Sequence, residues 1–394
     1  MIMTPSLFIF SLSICSLACF GQEVGVKGKY PISGTGQEKF YDQHGEIKKP
    51  MIDSPFSKQD AGTTTQKPSY RDNKDGTVTD LVTGLTWEKS MGEKMTFKEA
   101  QLKVKEMNKG KFKDWRIPSI KELYSLILFS GQAHGERSVI KFIDTNYFDQ
   151  PLGDKNKGER EIDAQTWSST FYKDKVMSGQ EGIFGVNFVD GRIKTYPLFK
   201  RSAENKMYFR MVRGNPDYGK ILFIDNSDGT VTDQATGLMW QKDDDGKTYD
   251  WPQALQYASH LKLAGYQDWR LPTAKELQSI IDYSRAPKST HSAAIDPVFH
   301  VSQYVYGDVK DYPYYWTSTT HADGPTPGKH AVCICFGQGM GKGRGGGLID
   351  VHGAGSQRSD PKSGNSSQYP EFKGPQQDMR RVFNAVRCVR TINK

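Results

Sequence analysis

The chain of 394 residues lacks several features that would assign it to a familiar class of protein. No stretch after residue 20 is apolar enough to span a bilayer, so we expect no transmembrane helix in the mature chain. There is no His-x-x-x-His pair, no Gly-x-Ser-x-Gly turn and no evident carboxylate pair, which argues against several common hydrolases. Long runs of Lys or Arg are also missing, although the net charge is +8. That charge either serves solubility alone or favours acidic partners, such as sulfated or uronic polysaccharide, nucleic acid or an anionic surface.

Cysteine is scarce, with five in the chain, and two of the five lie near the N-terminus. Leu7 to Phe20 is an uncharged apolar run too short to span a bilayer comfortably, and it predicts a signal peptide over residues 1–21. Ser16-Leu17-Ala18-Cys19 resembles a bacterial lipobox, which makes lipidation of Cys19 the alternative. Either outcome predicts an exported protein that is secreted, periplasmic or held at the outer surface.

Two stretches of the chain repeat each other at a spacing near 153 residues. Residues 72–89 and 225–242 are identical at thirteen of eighteen positions. This repetition predicts one domain written twice. We assign the first copy to 71–214, the second copy to 220–394, and residues 22–70 to a leader or linker with short edge strands around Tyr30–Ile32 and Phe40–Tyr41.

Both copies predict the same order of elements. Thr-Val-Thr segments flanked by Gly begin a hairpin at Thr77 and at Thr230. Two helices follow in each copy, and each helix begins with a capping box. The four boxes are Thr96/Glu99, Ser119/Glu122, Asp250/Gln253 and Thr273/Glu276. Strands and long loops complete each copy, so we expect an α+β fold with two helices and a small, mostly antiparallel sheet per copy.

Two glycine-containing motifs invite chemical interpretations. Asp-Asn-x-Asp-Gly-Thr resembles a calcium loop, but placing Gly229 sixth in an EF-hand puts Ile224 first and Ala235 twelfth. We therefore predict Asx-type turns there, with calcium possible in some other geometry. The glycine-rich tract 337–347 matches a dinucleotide fingerprint by letters only, because no βαβ unit surrounds it. We interpret it as a long flexible excursion that carries Lys342 and Arg344.

The aromatic residues admit two interpretations. Trp115 and Trp269 each lie between an Asp and an Arg, which predicts a buried ring flanked by an ion pair. Five tyrosines between Tyr304 and Tyr315 precede Trp316, and such a cluster either fills a core or stacks on sugar rings.

Removal or lipidation of the N-terminal cysteines would leave Cys333, Cys335 and Cys388 in an oxidising compartment, where two of them can form a disulfide. Aligning the two copies puts Asn187 opposite Cys335 and Met211 opposite Cys388. Both cysteines are thus absent from the first copy, which predicts a Cys335–Cys388 bond. A Cys333–Cys388 bond stays open, because Cys333 points to the same strand face as Cys335. No fourth ligand has an obvious spacing to these thiols, so we predict no metal site.

Four motifs together resemble the Lcl C-terminal domain family, named for the C-terminal region of a bacterial collagen-like adhesin. They are Asp-Gly-Thr-Val-Thr-Asp-x-x-Thr-Gly-Leu-x-Trp, Asp-Trp-Arg-[Ile/Leu]-Pro-[Ser/Thr]-x-x-Glu-Leu, Trp-[Ser/Thr]-Ser-Thr, and the closing Val386-Arg-Cys-Val-Arg390 strand. The resemblance implies tandem C-type-lectin-like domains in an exported bacterial surface protein, and binding of sulfated glycans in the adhesin that names the family. The first copy departs from the pattern at its end, where Phe209-Arg-Met-Val-Arg213 replaces the cysteine-containing strand.

These observations predict an envelope binding protein for a glycan or cell-surface polysaccharide, with no nucleic acid partner. The expected ligand residues are Lys342, Arg344, Arg358 and Tyr314, because charge-assisted hydrogen bonds and ring stacking suit an anionic sugar. The plan of helices also resembles the formylglycine-generating-enzyme-like fold, which makes a copper-dependent oxidoreductase the alternative, although the cysteines do not reproduce that motif. A structural envelope module with a protein partner is a third hypothesis.

Overall fold

The computed structural model describes residues 29–133, 139–177, 179–200, 202–306, 308–365, 367–374 and 376–392. The predicted signal peptide and the lipidation site at Cys19 lie outside the described residues. Within the described ranges, no helix is both long and apolar enough to cross a membrane.

Short antiparallel strands dominate, with few helices, so the fold is α+β and mostly β. Up to residue 213 the strands are β1 Phe40–Tyr41, β2 Glu46–Ile47, β3 Tyr70–Asp72, β4 Thr77–Asp80, β5 Thr86–Glu88, β6 Thr166–Phe171, β7 Gly182–Asn187, β8 Arg192–Pro197, β9 Phe199–Lys200, β10 Ala203–Glu204 and β11 Val212–Arg213. Those of the second copy are β12 Phe223–Asp225, β13 Thr230–Asp233, β14 Leu238–Gln241, β15 Tyr304–Tyr306, β16 Val309–Asp311, β17 Tyr314–His321, β18 His330–Cys335, β19 Met340–Lys342, β20 Leu348–Asp350, β21 Gln357–Pro361, β22 Phe372–Lys373, β23 Asp378–Met379 and β24 Val389–Thr391. The α-helices are α1 Phe97–Met107, α2 Ile120–Tyr124, α3 Trp251–His260 and α4 Ala274–Ser279, and short 3₁₀ turns occupy Asp60–Gly62 and Lys155–Lys157.

Each copy builds the same four-stranded sheet from its two ends. The order is β11-β5-β4-β3 in the first copy and β24-β14-β13-β12 in the second. The turns between the first two strands are the predicted Asx turns, since Asp72 and Asp225 accept hydrogen bonds from the amides two residues later. The four predicted capping boxes are also present, with both reciprocal hydrogen bonds in each. Local sequence therefore determines these elements.

The Asp-Trp-Arg segments bury their rings as predicted, but their ion pairs differ. Trp115 and Trp269 are buried, at 8% and 3% exposure. Their neighbouring arginines pair with the glutamates of the next capping box instead of the adjacent aspartates. The pairs are Arg116–Glu122 and Arg270–Glu276. Each arginine thereby fixes the start of a helix to the extended segment before it, which makes a single β-bridge to the last strand of its copy.

One six-stranded antiparallel sheet joins the two copies, in the order β6-β7-β8-β21-β18-β17. Each copy contributes three consecutive positions, and the copies meet where Ile193 of β8 pairs with Gln357 of β21. The two halves are arranged with β6 and β17, the equivalent Trp-containing strands, at the outer edges. The sequence comparison did not predict this joint.

The two faces of this sheet are covered differently. On one face, helices α2 and α4 pack side by side, and their buried residues join both halves of the sheet in one hydrophobic cluster. On the other face, α1 covers the outer strands of the first copy and α3 covers those of the second, each over a separate smaller cluster. The middle strands β8 and β21 are not covered by either helix on this second face.

Equivalent lysines link the two copies reciprocally beneath the shared core. The Lys121 ammonium donates to the Ser279 carbonyl oxygen at 2.6 Å, and the Lys275 ammonium donates to the Ser125 carbonyl oxygen at 2.7 Å. Lys121 and Lys275 occupy the same position of the repeated motif, as do Ser125 and Ser279. The contact between the copies is therefore roughly twofold symmetric.

The segment predicted as a leader or linker packs against both copies over residues 29–70. Its predicted edge strand at Phe40–Tyr41 is present and pairs with Glu46–Ile47, whereas the one predicted around Tyr30–Ile32 is not a strand. The buried Asp60 carboxylate accepts hydrogen bonds from the hydroxyls of Thr35 and Thr319. The Gln37 side chain bonds to Phe129 of the first copy and Thr320 of the second. This segment thus ties the two copies together.

Candidate functional site

A cleft of about 890 Å³ lies over the uncovered middle of the six-stranded sheet. Both copies line it, together with loops from the first copy and strands β22 and β23 of the second. Its basic residues are Lys94, Lys157, Arg160, Arg192, Lys194, Lys200, Lys206, Arg358, Lys373 and Arg380, and its acidic residues are Glu159, Asp163, Asp190, Asp323 and Asp378. With twice as many basic as acidic residues, the cleft attracts anions.

Strand β8 forms half of the cleft floor by alternation. Ile193 and Thr195 are buried toward the shared core, while Arg192, Lys194 and Tyr196 point to the opposite side and line the cleft. This alternation of polar and apolar residues is visible in the sequence and is typical of a strand with one buried face and one polar face. Sequence reasoning missed it because it concentrated on the second copy.

Arg358 of strand β21 completes the floor from the second copy. It is 4% exposed, and its Nη2 donates to Oδ2 of Asp378 at 2.6 Å. The other carboxylate oxygen of Asp378 lies 2.7 Å from Nε2 of His352. Burial alone would raise the pKa of Asp378, but the Arg358 charge and the His352 contact lower it well below its usual range. Arg358 is therefore held rigidly by an ionised carboxylate, while its Nη1 is buried without a hydrogen-bond partner among the described residues.

Lys194 is the least satisfied cation of the floor. It is half-buried, and within the described ranges its ammonium has neither a hydrogen-bond partner nor an ion-pair partner. Burial lowers the pKa of Lys194 to about 8; Asp190 opposes this shift and the Arg358 charge adds to it. Across the ladder it faces Gly185, whose position is packed closely against the Thr166 backbone and the Tyr196 ring. An anion entering the cleft would meet this ammonium without displacing a carboxylate.

The remaining cations differ in how far their charge is already neutralised. Arg192 pairs with Asp323, and Lys373 lies 3.3 Å from Asp360. Lys200 and Arg380 have no carboxylate partner in the part of the chain that the structure describes. Positive charge is thus left free both at the floor and at the rim.

A family comparison bears on this geometry. The model of the Lcl C-terminal domain matches residues 76–213 and again 229–346. The chain belongs to the Lcl C-terminal domain family. Neither the curated proteins nor the solved structures contain a match. The first matched range includes β8 and Lys194, whereas Arg358 and Asp378 lie beyond the second range. In this Lcl C-terminal domain protein, one side of the cleft is therefore formed by residues that the family model matches, and the other side by residues that follow the second matched range.

The four predicted ligand residues are not brought together. Arg358 lines the cleft, but Tyr314 is 1% exposed, donates its hydroxyl hydrogen to the Gln338 carbonyl oxygen, and packs under the guanidinium of Arg381 at 3.7 Å. Its assignment as a ligand-stacking residue was wrong, because a ring so deeply buried cannot contact a sugar. Lys342 and Arg344 are exposed on the β19–β20 hairpin and do not line the cleft. The glycine-rich tract is therefore partly an ordered hairpin within a four-stranded sheet, not a free excursion.

The aromatic cluster divides between core and surface. Tyr314, Tyr315 and Trp316 are buried, whereas Tyr304 and Tyr306 are half-buried on the β15–β16 hairpin. The aromatic residues of β17 therefore fill the core, as one of the two interpretations predicts. Neither tyrosine of the β15–β16 hairpin lines the cleft.

The three described cysteines are free, buried thiols, and the predicted Cys335–Cys388 disulfide is not formed. All three lie in the hydrophobic cluster under α3, and none is bonded to another. The Cys333 thiol lies 3.7 Å from Asp360, and burial raises the pKa of Cys335 to about 12, with Ser356 nearby opposing the shift. Thiols in this state are poor nucleophiles and poor metal ligands, which does not favour the copper-enzyme alternative. The described residues also contain no group of three or more His, Cys, Asp or Glu placed to hold a metal ion.

Proposed function

We propose that this protein is an exported bacterial cell-envelope binding protein that recognises an anionic glycan in the cleft between its two copies. We further propose that each copy is a C-type-lectin-like domain. The pair of helices and the small antiparallel sheets repeated in each copy support that assignment.

The observation that carries the proposal is the cleft over the middle of the six-stranded sheet, whose lining includes cations that lack carboxylate partners within the described residues. A buried or half-buried cation without a partner costs free energy unless a ligand supplies the opposite charge. Among the described residues, Lys194 and Arg380 are such groups, and Arg358 has one nitrogen left over. Lys200 adds an exposed positive charge at the rim. Sulfate and carboxylate groups are the acceptors that suit them best.

The size of the cleft favours an extended polysaccharide over a small anion. A second cavity of about 520 Å³ adjoins it and shares Lys200 and Lys206 with it. Tyr196 lines the first cavity and Tyr208 lines the second, so aromatic rings accompany the positive charge along the path. Alternating aromatic and basic contacts suit a chain of acidic sugars.

Binding can be tested by calorimetry with a heparin tetrasaccharide, a polygalacturonate tetrasaccharide and neutral cellotetraose. We expect the two acidic probes to bind, more weakly at high salt, and cellotetraose not to bind. Lys200→Glu should weaken acidic binding about three- to tenfold, because it reverses an exposed charge at the rim. Lys98→Glu is the matched control, since Lys98 is exposed on α1 outside the cleft. No binding of either acidic probe, or binding indifferent to salt, would contradict the proposal.

A further inference from the structure

Strand pairing brings one cation from each copy to the centre of the cleft. Gln357 pairs with Ile193, and both of these side chains point into the shared core. The next residue on each strand, Arg358 and Lys194, therefore points to the opposite side, into the cleft. Because the strands are antiparallel, Arg358 and Lys194 lie diagonally across the Gln357–Ile193 pair, and Arg192 is the residue opposite Arg358. The two strands are further connected there by a hydrogen bond of 3.1 Å from Arg192 Nη2 to Ser359 Oγ.

The Arg358 guanidinium is preorganised and incomplete. Its Nη2 is held by Asp378, which is itself held by His352, so the side chain has little freedom to turn away. Its Nη1 is buried and unpartnered within the described ranges. A buried donor without an acceptor costs about 1–3 kcal/mol, which favours a ligand oxygen at this position. Because solvent does not reach Nη1, such an oxygen enters only when the side chains around it shift.

Lys194 supplies the second half of the same recess. Its ammonium has three donors and no partner within the described ranges, and its side chain lines the cleft. The two cations are close enough to influence each other, since the Arg358 charge lowers the pKa of Lys194. Two neighbouring cations that repel each other are stabilised together by one oxyanion placed between them.

Tyr196 lies two residues beyond Lys194 on the same face of β8, at roughly 7 Å along the strand. Its ring is half-buried beside the cluster under α1. An aromatic ring next to an oxyanion recess matches a pyranose that carries a charged substituent. Simple phosphate or sulfate would use the cations but not the ring.

We infer that Lys194 and Arg358 form one oxyanion subsite, shared between the two copies, that holds the carboxylate or sulfate of an acidic sugar whose ring contacts Tyr196. The inference rests on the proposed function. It adds the position at which the acidic group of the sugar is held, and the requirement for both copies to form that position. Neither copy contains the subsite alone, so the duplication itself creates it.

The test compares three variants of the full chain against the acidic tetrasaccharides. Lys194→Gln removes the free ammonium, and Arg358→Lys keeps a charge for Asp378 while removing the spare nitrogen. Each should weaken binding about ten- to hundredfold, because each removes a charge-assisted hydrogen bond. Tyr196→Leu should weaken binding of the tetrasaccharides while leaving binding of inorganic sulfate unchanged. Lys98→Gln is the control, and thermal unfolding reports whether each variant is folded.

The outcomes separate the inference from the proposed function. A stronger loss with polygalacturonate than with heparin identifies a carboxylate subsite, and the reverse identifies a sulfate subsite. If folded Lys194→Gln and Arg358→Lys proteins bind as tightly as the wild type while Lys200→Glu binds more weakly, the subsite is refuted and glycan binding in the cleft stands. If the wild type binds neither acidic probe, the proposed function fails and the inference fails with it.

Discussion

Binding of an anionic sugar should be accompanied by proton uptake at Lys194. Burial lowers the pKa of this ammonium to about 8 in the free protein. A group with a lowered pKa is partly neutral near that pH, whereas an oxyanion beside it favours the charged form and raises the pKa again. Neither sulfate nor uronate titrates in this range, so any uptake comes from the protein.

The size of the effect follows from the free protein's pKa. If the bound ammonium is fully charged, uptake per site is about 0.1 proton at pH 7, about 0.5 at pH 8 and about 0.9 at pH 9. The sign is fixed by linkage: as pH rises through 8, more of the free Lys194 is neutral and must be protonated on binding. Affinity should therefore fall as pH rises from 7 to 9.

The assay is calorimetric titration with a heparin tetrasaccharide in buffers of different ionisation enthalpy at each pH. The slope of observed enthalpy against buffer enthalpy gives the number of protons taken up. Lys194→Gln should abolish the pH-dependent uptake, whereas Lys98→Gln should keep it. Binding without uptake at pH 8 in the wild type, or equal uptake in Lys194→Gln, would refute the assignment of Lys194 to the ligand contact.

Three further predictions concern the fold. Burial raises the pKa of Asp60 to about 6, opposed by the hydroxyls of Thr319 and Thr35; this group therefore favours folding below pH 4 and loses that advantage as pH rises to 6. Relative to wild type, Asp60→Asn should gain about 2.4 kcal/mol in unfolding free energy between pH 4 and 7.5 by urea titration, with Asp53→Asn, at an exposed position, as the control. Lys275→Met should cost about 3–5 kcal/mol and Lys121→Met less, because the Lys275 ammonium donates to three oxygens and that of Lys121 to one; equal losses would contradict this. Alkylation followed by mass spectrometry should modify all three of the described cysteines after unfolding and none before it, whereas a protected pair in the unfolded chain would indicate a disulfide.

The parts of the fold that local sequence determines could be predicted. A capping box needs only two side chains three residues apart, and all four boxes have both of their hydrogen bonds. The Asx turns depend likewise on an Asp and the next two amides. Such contacts are independent of how distant segments pair.

The cleft could not be predicted, because it depends on pairing between segments far apart in the chain. Strand β21 has the position in the second copy that β8 has in the first, but the sequence comparison did not align these two strands, and nothing in their residues predicts that they pair. The same pairing decides burial: it makes Arg358 part of the floor and covers Tyr314 under Arg381. Composition alone indicated basic and aromatic residues in this half of the chain, but not which of them solvent or a ligand can reach.

The reciprocal lysine contacts have a consequence for how such a protein arises. Each copy offers the other the same lysine and the same serine carbonyl, as the subunits of a symmetric homodimer do. Joining two such subunits in one chain replaces a concentration-dependent encounter by a tethered one without altering the contact. Once tethered, the halves are free to diverge, so one can lose its cysteines while the other acquires the strands that close one side of the cleft.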